Sequence, residues 1–105
     1  MNYLERVADE IRREVAAGDL PEDDPSPLFL VYAVLLLAKG SSVTAQDVHN
    51  AWVAWTSPRD PTHESLVPFE QLSAETRSED SPFVAAIRAV ATRHTRSAAD
   101  EGATD

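Results

Sequence analysis

Five side chains in the third quarter of the sequence could bind a ligand, namely Trp52, Trp55, Arg59, His63 and Phe69. Their aromatic faces could stack on a planar molecule, and the guanidinium of Arg59 could make a two-point contact with a phosphate or a carboxylate. The segment that follows the tryptophans is predicted to be irregular, so it would also carry spare backbone N–H groups. We therefore expect any small-molecule site between the tryptophan-bearing helix and this segment.

The same residues also have a structural interpretation, and the sequence leaves both open. Trp52 and Trp55 are three residues apart and share one face of a helix, which is typical of core residues. Arg59 precedes Asp60, so the two could form a local salt bridge. His63 could bond to the backbone of a segment that is short of regular hydrogen bonds. In this structural interpretation these side chains attach the segment to the core and bind no ligand.

No pattern in the sequence predicts catalysis or a metal site. His49 and His63 have no histidine or glutamate partner at a metal-ligand spacing, and the chain has no cysteine. His63, Glu64 and Ser65 include the residue types of a catalytic triad, but adjacent side chains cannot converge on one point. The three glycines are scattered and form no phosphate-binding loop. We therefore predict that the protein is not an enzyme and has no cofactor and no metal.

The helices and the irregular segment that carry these side chains belong to one small domain. The chain has 105 residues, of which 43% are hydrophobic, and this is enough for a single core. Its 18 acidic and 9 basic residues give a formal net charge of −9. We expect no DNA or RNA partner, because binding to nucleic acid needs a basic surface. Arginine supplies all of the basic residues except Lys39, a bias that favours a GC-rich actinobacterial or actinophage source.

The sequence carries no recognisable targeting signal. The N-terminal segment alternates charged and apolar residues, unlike a signal peptide. The longest apolar run, residues 28–38, is shorter than the roughly 18–20 residues that span a bilayer. We therefore expect a cytoplasmic protein with no membrane partner, located in the host cytoplasm if it is encoded by a phage.

Hydrophobic spacing predicts an amphipathic first helix, with apolar residues at helical intervals between Leu4 and Val15. Gly18 should end this helix, because glycine adopts the left-handed conformation that closes many helices. The acidic, proline-containing residues 19–25 should form a loop.

The second helix should begin after an N-cap at Ser26, with Pro27 in the first helical position, and should end near Lys39 before Gly40. Its apolar residues lie nearly all round the helix. We therefore predict that it is the most buried helix, either among the others or in a subunit interface.

A third helix over about residues 45–56 is predicted by Thr44 and Asp47, which have the spacing of a capping box. Residues 57–68 contain three prolines and no sustained periodicity, so we expect an irregular crossover. One helical turn should follow over Phe69 to Leu72.

The last helix should open at Ser81-Pro82, which repeats the cap pattern of the second helix, and should run to about His94. Residues 95–105 are small and acidic, and we expect a disordered tail because they bury too little area. The predicted fold is all-α: a single-domain bundle of about four helices over residues 1–94, with an irregular proline-containing crossover.

Several of these residues also occur in the order found in a known family. They are Val48-His49-Asn50-Ala51-Trp52, then His63, Leu66-Val67-Pro68-Phe69, Glu70-Gln71-Leu72, Asp80 and Ile87-Arg88-Ala89-Val90. In this order they resemble the RyR domain, the repeat of ryanodine receptors, over about residues 45–92. Glu64 stands where the family has proline, and Phe69 stands where it has tyrosine.

The resemblance implies a binding module without enzymatic activity that takes a nucleotide-type small ligand. A free-standing copy has no attached effector domain to switch, which suggests that it sequesters its ligand, as a phage-encoded sponge for a signalling nucleotide would. The negative charge of the chain works against polyanionic ligands, because only a local positive potential could offset it.

An alternative function of a different class is a protein-interaction module or a homo-oligomeric adaptor with no small ligand. It would use an apolar face of the first or second helix. An exposed tryptophan beside Arg59 would favour the small-ligand function, whereas an exposed stripe of leucine and valine would favour the protein-interaction function.

Overall fold

The helices predicted from the apolar spacing are present in the structure. The computed structural model describes residues 2–15, 18 and 26–103. The long helices are α1 (Tyr3–Glu14), α2 (Ser26–Lys39), α3 (Ala45–Thr56) and α5 (Ser81–Ala103), and α4 (Ala74–Ser78) is a short one. Further along the chain, 3₁₀ turns occupy Gly40–Ser42 and Phe69–Gln71. The described residues contain no strand, so the predicted all-α fold class is confirmed.

The start of α1 is fixed by Asn2, whose side-chain oxygen accepts the Glu5 N–H at 2.8 Å. Its end differs from the prediction, because the helix stops at Glu14 and not at Gly18. The chain becomes extended at Val15, which places this side chain in the core. Burial of one more apolar side chain outweighs another helical turn here. The predicted loop over residues 19–25 lies outside the described residues.

The second helix lies at the centre of the bundle, where it contacts α1, α3 and α5. This agrees with its apolar composition, since a helix without a polar side is buried when its neighbours surround it. The burial is incomplete, because Val34 and Leu37 remain 53% and 51% exposed. No helix in the described ranges is long and apolar enough to cross a membrane.

The junction between α2 and α3 has the predicted helix end and the predicted helix start. Gly40 adopts a φ of +59°, a left-handed conformation that glycine reaches without strain, and α2 ends there. Thr44 and Asp47 form both hydrogen bonds of the capping box, so α3 has the predicted bounds. The bond from the Thr44 backbone N–H, with further help from Lys39, lowers the pKa of Asp47.

The crossover over residues 57–68 is irregular, as predicted, and its backbone bonds are those of turns. One 3₁₀ turn and α4 follow it. The Ser73 hydroxyl accepts the Thr76 N–H and so caps α4.

The last helix extends well beyond the predicted end near His94. Its backbone is helical as far as Ala103. A helix that is already nucleated by packed turns gains one bond for each added residue, and the alanines in this stretch lose little entropy. Residues 104 and 105 lie outside the described residues.

Side chains from all four long helices form one core. Hydrogen bonds at the edge of this core link α5 to other parts of the chain. The Arg88 Nε donates to the Val43 carbonyl at 2.8 Å and links α5 to the chain after α2. The Arg93 guanidinium donates to Glu14 at 2.6 Å and links α5 to α1. The fully buried larger side chains are Ile11, Phe29, Tyr32, Val43, Val48, Ile87 and Val90.

Adjacent leucines of α2 provide a matched test of this core. Leu36 is 4% exposed and Leu37 is 51% exposed. We expect Leu36→Ala to lower the free energy of unfolding by about 2–5 kcal/mol, because it leaves a cavity. Leu37→Ala makes the same change of helix propensity and should cost less than about 1 kcal/mol. Urea unfolding of both variants measures the difference, and equal losses would contradict the packing described here.

Candidate functional site

A cleft of about 620 Å³ opens between α2, α3, the crossover, α4 and the start of α5. Among the described residues, five aromatic rings line it, two of them imidazoles, together with five further polar side chains: Ser65, Thr76, Ser78, Glu79 and Asp80. The volume lies within the range of small-molecule sites in proteins.

One side of the cleft is a cluster of three rings, which we call the histidine–tryptophan cluster: His49, Trp52 and His63. The His49 and Trp52 rings are stacked, with centroids 5.8 Å apart and an interplanar angle of 25°. The His63 ring meets Trp52 edge-on, with centroids 5.0 Å apart. His49 is only 3% exposed, whereas His63 is exposed. The cluster therefore runs from the core to the surface along α3 and the crossover.

Hydrogen bonds place the protons of both imidazoles. The His49 Nε2 donates to the Val67 carbonyl at 2.7 Å, so a neutral His49 ring carries its lone pair on Nδ1. The His63 Nδ1 accepts the Ser65 N–H at 3.0 Å, so a neutral His63 ring carries its proton on Nε2. The His49 bond also attaches the end of the crossover to α3. Both rings thus contribute to structure as well as to the lining of the cleft.

Another part of the lining comes from Tyr32 of α2 and Phe83 of α5, whose ring centroids are 5.7 Å apart. Phe29 packs against both rings from the core. Burial, with a smaller contribution from the charge of Asp80, raises the pKa of Tyr32. The phenol therefore stays protonated and neutral at physiological pH.

Two acidic residues, Glu79 and Asp80, line the cleft directly before α5. Burial raises the pKa of Asp80 to about 6; the neighbouring His49 lowers it, and the charge of Glu79 raises it again. Asp80 is only partly exposed, so its carboxylate loses hydration in the folded protein. A carboxyl group with a strongly raised pKa in a cleft is a frequent property of functional sites.

The structure brings together only part of the predicted site. Trp52 and His63 line the cleft, whereas Trp55, Arg59 and Phe69 lie outside its lining. The Arg59 guanidinium folds back one helical turn, stacks 4.5 Å from the centroid of Trp55 and donates to the Trp55 carbonyl. Phe69 packs against His49, with centroids 6.1 Å apart. The predicted residues therefore divide between the cleft and two separate contacts.

The sequence analysis did not assign His49, Tyr32, Asp80 or Phe83 to the site. His49 shares the apolar face of α3 with Trp52, and this position was the one available signal. Asp80 stands next to Ser81-Pro82, a position that by itself indicates only the start of a helix. Only the meeting of α2, α3 and α5 brings these side chains to one cleft.

Within the described ranges, no three histidine, aspartate or glutamate side chains lie close enough together to hold a metal. The cleft instead combines ring faces with hydroxyl, imidazole and carboxyl groups.

The fold and the cleft define a small all-helical domain with a partly polar, aromatic-lined cleft. Residues 2–92 match the model of the family described as a domain of unknown function, DUF7701. The chain belongs to that family. No curated protein and no solved structure matches the chain.

The resemblance to the RyR domain is wrong. The family match includes residues 45–92, on which the resemblance was based, and nothing links the chain to ryanodine receptor repeats. The structure gives those residues a different explanation. His49 bonds to the Val67 carbonyl and contacts the ring of Phe69, so these residues attach the end of the crossover to α3.

The raised pKa of Asp80 makes its charge a cost to stability. The folded protein binds this proton more tightly than the unfolded chain does, so the cost is present above about pH 6 and disappears as the pH falls towards 4. We expect Asp80→Asn to raise the free energy of unfolding at pH 7.5 by about 1 kcal/mol, a value discounted because water still reaches the carboxyl group. Urea unfolding at pH 7.5 and 4.5 measures the gain, which should shrink at the lower pH. A destabilised variant at pH 7.5 would contradict the burial of this charge.

Proposed function

We propose that this protein is a binding domain without enzymatic activity, and that its cleft takes a small planar molecule. The observation that carries the proposal is that Trp52, which contacts the rings of His49 and His63, lines the cleft. Stacking of a planar ring on an aromatic side chain contributes roughly 1–3 kcal/mol. Tyr32 and Phe83 supply further apolar surface for the same ligand.

The hydrogen bonds of the cleft support binding more than catalysis. His63 is close to Ser65, but its Nδ1 accepts the Ser65 backbone N–H and is not aligned on the hydroxyl. A serine nucleophile needs its hydroxyl bonded to the base. His49 directs its Nε2 proton to the Val67 carbonyl, so this proton serves to hold the crossover.

The cleft suits the planar base of a nucleotide better than its phosphate. Arg59, the predicted phosphate partner, is engaged by Trp55 outside the cleft. No arginine or lysine occurs among the described residues that line the cleft. A base could stack on Trp52, but its phosphate would lack the two-point contact on which the hypothesis relied.

The two tryptophans allow a direct test of this function. In Trp55→Phe, Trp52 is the only tryptophan left. We expect at least one compound from a set of planar aromatic fragments to change its emission saturably and to raise the melting temperature, because a ligand of the native state stabilises it by mass action. Fluorescence titration and thermal unfolding measure the two effects.

Trp52→Phe is the matched control, since the remaining Trp55 lies outside the cleft and its emission should not respond. Adenosine monophosphate should be titrated together with these fragments as a test of nucleotide binding. Tighter binding of this nucleotide than of its phosphate-free analogue would restore the phosphate part of the hypothesis. If no fragment and no nucleotide binds at millimolar concentration, the cleft is not a small-molecule site.

A second candidate function is protein interaction through α2. An exposed apolar face is the feature that favours this function, and α2 has one. Val34 and Leu37 are among the exposed large hydrophobic residues, and Ala38 on the same side is also exposed. Residues 27–38 contain no charged side chain. Two copies could therefore meet on this face without placing like charges opposite each other.

Self-association through this face predicts a concentration-dependent dimer. We expect the double variant Val34→Gln, Leu37→Gln to be monomeric at protein concentrations where the parent dimerises, because it removes the apolar contact. Sedimentation velocity measures the change. The control is Tyr3→Gln, which removes an apolar residue that is 65% exposed on α1. A parent that is monomeric at its highest soluble concentration would exclude self-association.

A further inference from the structure

We propose that the cleft selects planar cations, such as an aromatic amidine, guanidine or protonated amine, with the ring on Trp52 and the charged N–H groups on the Asp80 carboxylate. This inference rests on the proposed small-molecule function and specifies its ligand class. The cleft provides the two features that such a ligand needs, an aromatic side chain and a carboxyl group, within one lining.

Among the described residues that line the cleft, the acidic side chains have no arginine or lysine to balance them. These acidic side chains are Glu79 and Asp80. The whole chain carries a formal net charge of −9, so its field also attracts cations and repels anions. Charge thus favours a cationic ligand over a neutral ligand, and a neutral one over an anion.

Two arginines close in sequence to the lining direct their guanidinium groups elsewhere. Arg59 is stacked on Trp55 and donates to its carbonyl. Arg77 lies 4.9 Å from the centroid of Phe69 and donates to the Glu70 carbonyl at 2.7 Å. Both groups would have to leave an aromatic partner in order to meet an anion in the cleft.

The start of α5 also offers little to an anion. Helix N-termini attract anions through their free N–H groups. Here Pro82 has no N–H, and the N–H groups of Phe83 and Val84 both donate to the Asp80 carbonyl. The first turn therefore has few free donors, and the carboxylate of Asp80 stands beside them.

The partial burial of Asp80 strengthens the argument, because a dehydrated carboxylate gains more from a bound counter-ion than a hydrated one does. The other ionisable groups that line the cleft are Tyr32 from α2, His49 from α3, His63 from the crossover and Glu79. Tyr32 stays neutral. Below about pH 6 Asp80 gains a proton. Acid should therefore weaken the binding of a cation.

Three probes with the same ring separate charge from shape: benzamidine is cationic, benzamide is neutral and benzoate is anionic. We expect benzamidine to bind about tenfold more tightly than benzamide at pH 7.5, and benzoate to bind most weakly. Benzamidine keeps its charge at pH 5, where Asp80 is about nine-tenths protonated if its pKa is about 6, so its affinity should fall about tenfold. Ligand-observed NMR titration measures all three affinities.

Asp80→Asn should reduce the preference for benzamidine over benzamide to less than about twofold and should flatten most of its pH dependence. Asp60→Asn removes the same charge from an exposed position in the crossover outside the cleft, and should keep the preference. Glu79→Gln, a second cleft variant, should reduce it partially.

The outcomes separate this inference from the function on which it rests. Equal affinity for the three probes, or an unchanged preference in Asp80→Asn, would overturn selection by charge while leaving a planar-ligand site intact. If none of the three probes binds but another planar fragment does, the inference is wrong and the proposed function stands. If nothing binds, both are wrong.

Discussion

The fold is organised around α2, because this helix has no polar side. A helix that is apolar nearly all round must be surrounded, and the described residues supply three other long helices to do so. They cover Tyr32, Ala33 and Leu36 almost completely, and Val34 and Leu37 remain exposed. The position of α2 therefore determines both the core and the exposed apolar face.

The cleft is formed beside the same helix, with irregular chain supplying one of its sides. The crossover has no regular partner strand or helix, and His49 attaches it to α3 through the Val67 carbonyl. The result is a concave surface that joins ring faces to the partly buried carboxyl group of Asp80. A group that lowers the stability of a fold is retained more readily where it has a role, since natural proteins sit just above the stability they need.

Sequence patterns predicted the helix boundaries that are fixed by residues close in sequence. They did not predict the boundaries that are fixed by tertiary packing. Thr44 and Asp47 were enough to place α3, because a capping box satisfies its own backbone groups. The end of α1 could not be predicted, because the core draws in Val15 three residues before the expected glycine. Trp52 and His63, which the sequence places in one candidate site, both line the cleft. The place of Arg59 could not be predicted, because sequence spacing does not show that its guanidinium folds back on Trp55.

The backbone hydrogen bonds of the crossover should open before those of the long helices. The amides of Arg59, His63 and Leu66 each donate to a carbonyl only three residues earlier, so they belong to isolated turns. Such bonds break one at a time, whereas the amides of α2 exchange only when the packed bundle opens. Amide hydrogens along this side of the cleft should thus exchange with solvent much faster than those of the core. Access to the cleft can widen when one imidazole bond and a few ring contacts break, with every long helix still folded.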